Sequence, residues 1–239
     1  IITRERLKAP SIEEALSRAM HTLDGAYSLV LMSPQKLICT RDPYGFRPLC
    51  YGRTADGVYV IASESCALTA VSAEPVRDVE PGEILVFSKN GVVSRKEHCR
   101  TKPKNLCVFE YIYFARPDSV IDGVSVHAAR YRAGRALAKA HPVRADVVIG
   151  VPDSGLDAAL GFSAESGIPY GIGLIKNKYI GRTFIAPGDR LDKVKIKLSA
   201  IKSAVAGNCQ TAAGSRRERD TSAYLVAAIS APLLLRDGY

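Results

Sequence analysis

The sequence predicts an α+β domain followed by an α/β domain. Three observations carry that expectation. Residues 1 to about 100 hold short apolar runs broken by turn residues, with helices around them. A polar stretch, "HCRTKPKN" at residues 98–105, then marks a domain boundary. Beyond it come a continuous apolar strand, a loop, a helix and a second strand, the order of a βαβ unit.

Each element has its own justification. "SIEEALSRAMHTLDG" (residues 11–25) places Ile12, Ala15, Leu16, Ala19, Met20 and Leu23 at helical spacing. Ser11 is set to cap that helix, Glu14 to complete a capping box, and Gly25 to end it. "AYSLVLM" and "KLICT" are expected as strands about the turn "SPQ". "GVYVIAS" is a third strand and "EILVF" a fourth, with "KNG" turning into "VVS" as a hairpin. "CVFEYIYF" (residues 107–114) is an apolar, aromatic run. "VHAARYRAGRALAKAH" (126–141) predicts a helix with Ala129, Ala133, Ala136, Leu137 and Ala140 along one side. "ADVVIG" has the unbroken apolar character of a parallel strand buried on both faces. "SGLDAALGFSAESG" is helical, and "PYGIGLI" is the next strand.

Composition narrows the class. A chain of 239 residues, 47% hydrophobic and 24% charged, is that of a soluble globular protein. No run of about eighteen apolar residues is present, so neither a membrane-spanning helix nor a membrane partner is expected. The start, "IITRERLKAPSIEEAL", has cations without an apolar core, so no secretory leader is predicted; without an initiator Met it reads as a processed chain or a fragment. Cys39, Cys50, Cys66, Cys99, Cys107 and Cys209 form no C-x-x-C pair. They read as free thiols of a reducing compartment, the cytoplasm or an organelle matrix. The net charge of +9 is concentrated: from Lys176 to Arg219, eleven Lys and Arg face three acids. A localised basic segment implies a localised anionic partner. No nucleic-acid-binding motif accompanies the charge, so nucleic acid is not the expected partner.

The chemistry concentrates at "GVPDSGLDAA", Gly150 to Ala159, which follows a strand and opens a helix. Ligands of open α/β sheets bind at the carboxyl ends of strands, and a helix N-terminus there suits phosphate. Gly155 lets backbone approach a ligand, and Ser154 offers a hydroxyl to phosphate or to a metal. Asp153 suits Mg²⁺ or its hydration shell, since that hard cation prefers oxygen ligands. The alternative is that Asp153 or Ser154 merely caps the helix. "KNKYIGRTFIAPGDR" leaves the carboxyl end of the next strand, at the same sheet edge. Lys176, Tyr179 and Arg182 are therefore candidate ligands on a flap, with Gly173, Gly181 and Gly188 allowing it to order on binding. The expected ligand is a polyphosphate with Mg²⁺.

Several long motifs resemble one family. "RDPYGFRPL" (41–49), "ASESCAL" (62–68) and "VEPGEIL" (79–85) are similar to the second half of a glutaminase domain. "FEYIYFARPDSVIDGVSVHAAR" (109–130), "GVPDSG" and "IKNKYIGRTFI" are similar to its partner phosphoribosyltransferase domain. In this order they resemble the glutamine phosphoribosylpyrophosphate amidotransferase family, from about Ser11 to Gly207. The resemblance implies the second half of an N-terminal nucleophile (Ntn) glutaminase αββα domain at residues 1–101. It implies part of a type I phosphoribosyltransferase domain at residues 102–207. Residues 208–239 are left unassigned, as frameshifted or deleted relative to the family.

The resemblance also implies an activity. Ammonia released from glutamine would displace pyrophosphate from Mg²⁺-bound phosphoribosyl pyrophosphate, giving phosphoribosylamine for purine synthesis. Purine nucleotides would act as feedback inhibitors and the enzyme would be a homo-oligomer. Asp153, Ser154 and Gly155 would lie in the pyrophosphate loop, with Ser154 at a metal-ligand position. Lys176, Tyr179 and Arg182 would belong to the closing flap. Cys107 matches an iron–sulfur cluster ligand in one class of the family; a structural buried thiol is its other reading. The family nucleophile is an N-terminal Cys, whereas this chain begins Ile1-Ile2, so no residue is assigned that role. After "LSAIKSAVAGN" the family's paired Asp and phosphate loop are also missing. The alternative is a non-catalytic fragment of such an enzyme that binds phosphate or oligomerises.

Overall fold

Alternation along the strands decides how the first part of the chain is layered. The computed structural model describes residues 1–179 and 198–200. The chain divides into two units, Ile1–Val126 and His127–Tyr239, and the whole is a mixed α/β protein.

In the first unit, helices α1 (Ile2–Arg6) and α2 (Ile12–Met20) precede strands β1 (Ser28–Met32) and β2 (Lys36–Arg41). Then come β3 (Cys50–Thr54), β4 (Tyr59–Ala62), helix α3 (Ser65–Ala70), β5 (Ala73–Asp78), β6 (Ile84–Ser88) and β7 (Gly91–Arg95). A π-helical turn, Glu110–Phe114, and the short hairpin β8 (Val120–Ile121) and β9 (Val124–Ser125) close the unit. One antiparallel sheet has the order β1-β2-β6-β7, and a second has the order β4-β3-β5.

Neighbouring residues on β2 and β6 serve opposite faces. Cys39, Leu85 and Phe87 join Leu49, Tyr51 and Val79 in a core shared with the second sheet. Ile38, Ile84 and Val86 meet Leu16 and Met20 of α2 on the other face. Leu68 of α3 packs with Cys50 and Ala73 of the second sheet. The layers therefore run helix, sheet, sheet, helix. Burial pushes the Cys39 and Cys50 thiols up to about 12, so they pack as apolar groups.

Glu83 is fully buried just before β6. Arg77 grips its carboxylate with two bonds of 2.8 and 2.7 Å. The Ser94 hydroxyl (2.5 Å) and the Glu80 N–H (2.9 Å) donate to it as well. Burial works against the charge, but these donors hold the carboxyl below its usual range.

Arg41, at the end of β2, is also fully buried. Nε donates to the Arg47 carbonyl (2.6 Å), Nη1 to the Val79 carbonyl (3.1 Å) and Nη2 to the Gly45 carbonyl (2.9 Å). The remaining two N–H groups take Asp122 in a fork, at 2.9 and 3.0 Å. All five guanidinium donors are thus used. Asp42 organises the same loop by accepting the N–H groups of Tyr44, Phe46 and Arg47. Gly45, at φ +70°, lies where a side chain would strike Pro81.

The second unit contains α4 (Val126–Ala140, from the junction), β10 (Val148–Ile149), α5 (Leu156–Ser166), β11 (Tyr170–Gly171), β12 (Leu174–Lys176) and β13 (Leu198–Ala200). β10 and β11 are parallel, with α5 as the crossover. β12 pairs antiparallel with β13. Val148, Ala138, Ala158, Ala159 and Phe162 form the core. Gly134 of α4 lies against the Ala158 carbonyl, and Gly161 of α5 against the Tyr131 carbonyl; a Cβ at either would overlap backbone.

Most expected elements are present, with instructive differences. Ser11 caps α2 by accepting the Glu14 N–H at 3.2 Å, but the capping box does not close. The Glu14 carboxylate turns to Arg18 and Arg95 instead. α2 ends at Met20, and Gly25 (φ +91°) turns the chain before β1. β3 and β5 were not anticipated. β5 contains Pro75 and is tolerated because it is a sheet edge, where a missing donor costs little. On α4 the buried positions are Val126, Arg130, Gly134 and Ala138, while Ala136 and Ala140 are exposed. The glycine, not the alanine stripe, sets the contact face. Among the described residues no helix is long and apolar enough to cross a membrane.

Two stability predictions follow from these contacts. Arg41→Ala removes a fully buried guanidinium and its bonds to four carbonyl and carboxylate partners, leaving half-buried Asp122 with Lys104 at 3.1 Å, and should cost roughly 3–5 kcal/mol in denaturant unfolding. Arg41→Lys should recover little of this, since an ammonium has three donors rather than five. Gly134→Ala should cost about 1–3 kcal/mol by forcing α4 and α5 apart, read as loss of amide-exchange protection in α5.

Candidate functional site

Gly150 begins the loop because nothing larger fits. A Cβ there would lie 2.9 Å from both the Cα and Cδ2 of Leu156, which opens α5. The chain therefore leaves β10 and turns straight into the helix. The Pro152–Asp153 peptide is cis. The helix cap is Gly155, and no side chain caps it. Thus neither Asp153 nor Ser154 is spent on capping, and the alternative of a mere cap is set aside. The Gly155 N–H donates to the Val151 carbonyl at 3.1 Å, closing the loop on itself.

The structure brings two of the anticipated residues together. Lys176, the last residue of β12, donates from Nζ to the Asp153 carboxylate. Gly173 helps this approach, since a Cβ there would collide with Ile149 of β10. The loop and the end of β12 thus meet, but not as neighbours in one sheet: the expected single strand "PYGIGLI" is broken into β11 and β12, and β12 pairs with β13 in a sheet of its own. Ser154 is half-buried beside them and Gly155 is buried. Tyr179 is fully exposed, and its N–H donates to the Asn177 side chain at 3.0 Å. Arg182 lies outside the described residues.

One residue was missed. Asp157, in the first turn of α5, is 9% exposed. Its Oδ1 lies 2.9 Å from His127 Nδ1, and its Oδ2 has no partner among the described residues. An acid in a first helical turn usually signals the helix dipole, so sequence gave no hint of this contact with α4.

In the first unit Cys107 is half-buried, and its N–H donates to the Phe46 carbonyl at 3.2 Å. Among the described residues no group of three or more His, Cys, Asp or Glu could hold a metal ion. The Asp153 carboxylate and Ser154 hydroxyl are hard oxygen donors of the type Mg²⁺ takes. Of the four thiolates such a cluster takes, Cys107 is the one that the resemblance pointed to.

Comparison with known proteins places this geometry in context. Residues 5–70 match the model of a glutamine amidotransferase domain. An amidophosphoribosyltransferase of Methanocaldococcus jannaschii is 49% identical over 87% of this chain and 47% of its own length. This chain is similar to amidophosphoribosyltransferases over most of its length. The Pyrococcus horikoshii amidophosphoribosyltransferase is 52% identical over 81% of the chain and 42% of its own length. A solved Bacillus subtilis glutamine phosphoribosylpyrophosphate amidotransferase, complexed with ADP and GMP, superposes with a TM-score of 0.76 at 42% identity. That match covers 85% of this chain and 45% of the other. The chain thus spans about half the length of the relatives it matches.

The ion pair at the loop gives a direct test. Lys176→Ala should weaken inorganic pyrophosphate binding by about tenfold, the worth of one charge-assisted hydrogen bond. Asp153→Asn should strengthen Mg²⁺-free binding, because it frees Lys176 and removes a repelling charge. Calorimetric titrations in which neither substitution changes affinity would exclude the loop as an anion site.

Proposed function

We propose that this chain carries parts of both halves of an amidophosphoribosyltransferase. Residues 1–101 are read as the later part of an Ntn glutaminase αββα domain, and the helix–sheet–sheet–helix layering supports this. Residues 102–207 are read as the earlier part of a type I phosphoribosyltransferase domain, supported by the parallel β10–α5–β11 unit. Residues 208–239 are left unassigned. The observation that carries the reading is the Lys176–Asp153 pair at the mouth of the strand–loop–helix turn.

The substrates are glutamine and phosphoribosyl pyrophosphate. Ammonia from the glutamine amide attacks C1 of the ribose. The C1–N bond forms as the C1–O bond breaks, pyrophosphate leaves with the electron pair, and the new ammonium loses a proton. Negative charge grows on the leaving group, so preorganised positive groups favour the transition state. Lys176 supplies one such charge and the α5 N-terminus another. Asp153 holds Lys176 at the site until the anion arrives. Mg²⁺ would neutralise part of the pyrophosphate charge, with Ser154 as its protein ligand. Arg182 and Tyr179 are assigned to the flap that excludes water. Cys107 is assigned as one thiolate ligand of an iron–sulfur cluster. Purine nucleotides are proposed as feedback inhibitors, and a homo-oligomer as the assembly.

Limited proteolysis tests this reading. Phosphoribosyl pyrophosphate with Mg²⁺ should protect the segment from Lys176 to Leu191, and Arg182→Ala should abolish the protection while Arg216→Ala keeps it. Unchanged cleavage at saturating ligand would remove the assignment.

A further inference from the structure

A cavity of about 460 Å³ opens in the first unit between the start of α2 and the β1–β2 turn. Its size falls in the range of small-molecule sites. Ile12, Leu31 and Ile38 give it apolar walls, and Met32 stands at its lip, 86% exposed. Three charged side chains line it as well: Arg6, Glu13 and Lys36.

Two of these charges have unmet needs. Glu13 is 8% exposed, and its Oε1 accepts from Lys36 Nζ at 2.5 Å. Its Oε2 is buried without any partner among the described residues. A buried acceptor left unpaired is costly, and a cationic donor repays it best. Arg6 donates one bond, from Nη1 to the Ala9 carbonyl at 2.9 Å, and no carboxylate pairs with it among the described residues. Its guanidinium therefore keeps both charge and donors for a carboxylate.

We propose that this cavity binds a free α-amino acid with an apolar side chain. The ammonium group meets Glu13, the carboxylate meets Arg6, and the side chain lies against Ile12, Leu31 and Ile38. A simple carboxylic acid would satisfy Arg6 but leave the Glu13 oxygen unpaired. A simple amine would do the reverse. The proposal is independent of the pyrophosphate-site reading, which rests on residues of the other unit.

The chain contains two methionines, which makes the test direct. Met32 marks the cavity, and Met20 is buried in the core against α2. The full chain, labelled with ¹³C at the methionine methyls, is titrated with L-leucine. The Met32 signal should shift saturably while Met20 stays in place. 4-Methylpentanoate lacks the ammonium and should bind at least about tenfold more weakly, the worth of one charge-assisted contact. Glu13→Gln should bring L-leucine down to the same level. Arg6→Ala, at an exposed side chain, should weaken binding with the fold intact. No shift of Met32 up to about 10 mM L-leucine would overturn the proposal. Equal response to 4-methylpentanoate, or an unchanged titration in Arg6→Ala, would overturn it too.

Discussion

The first unit depends on one buried guanidinium. Arg41 ties the end of β2 to three carbonyls from two connections, and to the Asp122 carboxylate between β8 and β9. A buried charge is tolerated only when every donor finds an acceptor in good geometry. That condition fixes the path of residues 42–47 around Asp42, and it brings the segment near residue 122 onto the sheet. Arg47 and Glu64 extend the same attachment. Arg47 pairs with Glu110 at 2.6 Å, and the Glu64 carboxylate accepts from the Arg116 N–H and the Ser119 hydroxyl, both at 2.8 Å. Polar contacts of high directionality thus hold a segment that contributes a modest core of Ala115, Ile121 and Val126.

The second unit solves a different problem with small residues. The turn from β10 into α5 needs a short path from strand to helix, and Gly150 provides it. The helix that follows must be held firmly, or its terminus would wander. Gly134 and Gly161 let α4 and α5 approach until each backbone touches the other. Close approach gives many dispersion contacts without bulky side chains. The loop is then positioned by backbone packing, in which the Asp153 and Lys176 side chains take no part.

Much of this was legible from residues alone. Strands with clean alternation, such as "KLICT" and "EILVF", were readable because each face meets a separate core. The βαβ unit was readable from its order of apolar strand, loop and helix. The loop and the base of the flap were assigned to one edge from topology, and Lys176 does reach Asp153. What escaped depends on partners distant in sequence. β5 was left unassigned because Glu74, Pro75 and Arg77 suit no interior strand, yet an edge accepts them. The contact face of α4 was set by Gly134 meeting Ala158, which no local pattern shows. The Asp157–His127 contact joins two helices thirty positions apart and left no trace in spacing.

Strand β6 carries apolar side chains on both faces, because Ile84 and Val86 serve one core and Leu85 and Phe87 the other. Most strands are kept in register by polarity, since a slip of one residue would turn oily groups to water. Here a slip would exchange one oily row for another, and hydrophobicity would barely object. Glu83 supplies the missing penalty. Moved by one position, its carboxylate would leave the Arg77 fork and the Ser94 hydroxyl and sit unpaired in the interior. A single charged residue at the strand's entrance thus acts as its index mark, setting by electrostatics the alignment that a two-sided strand cannot set by water avoidance.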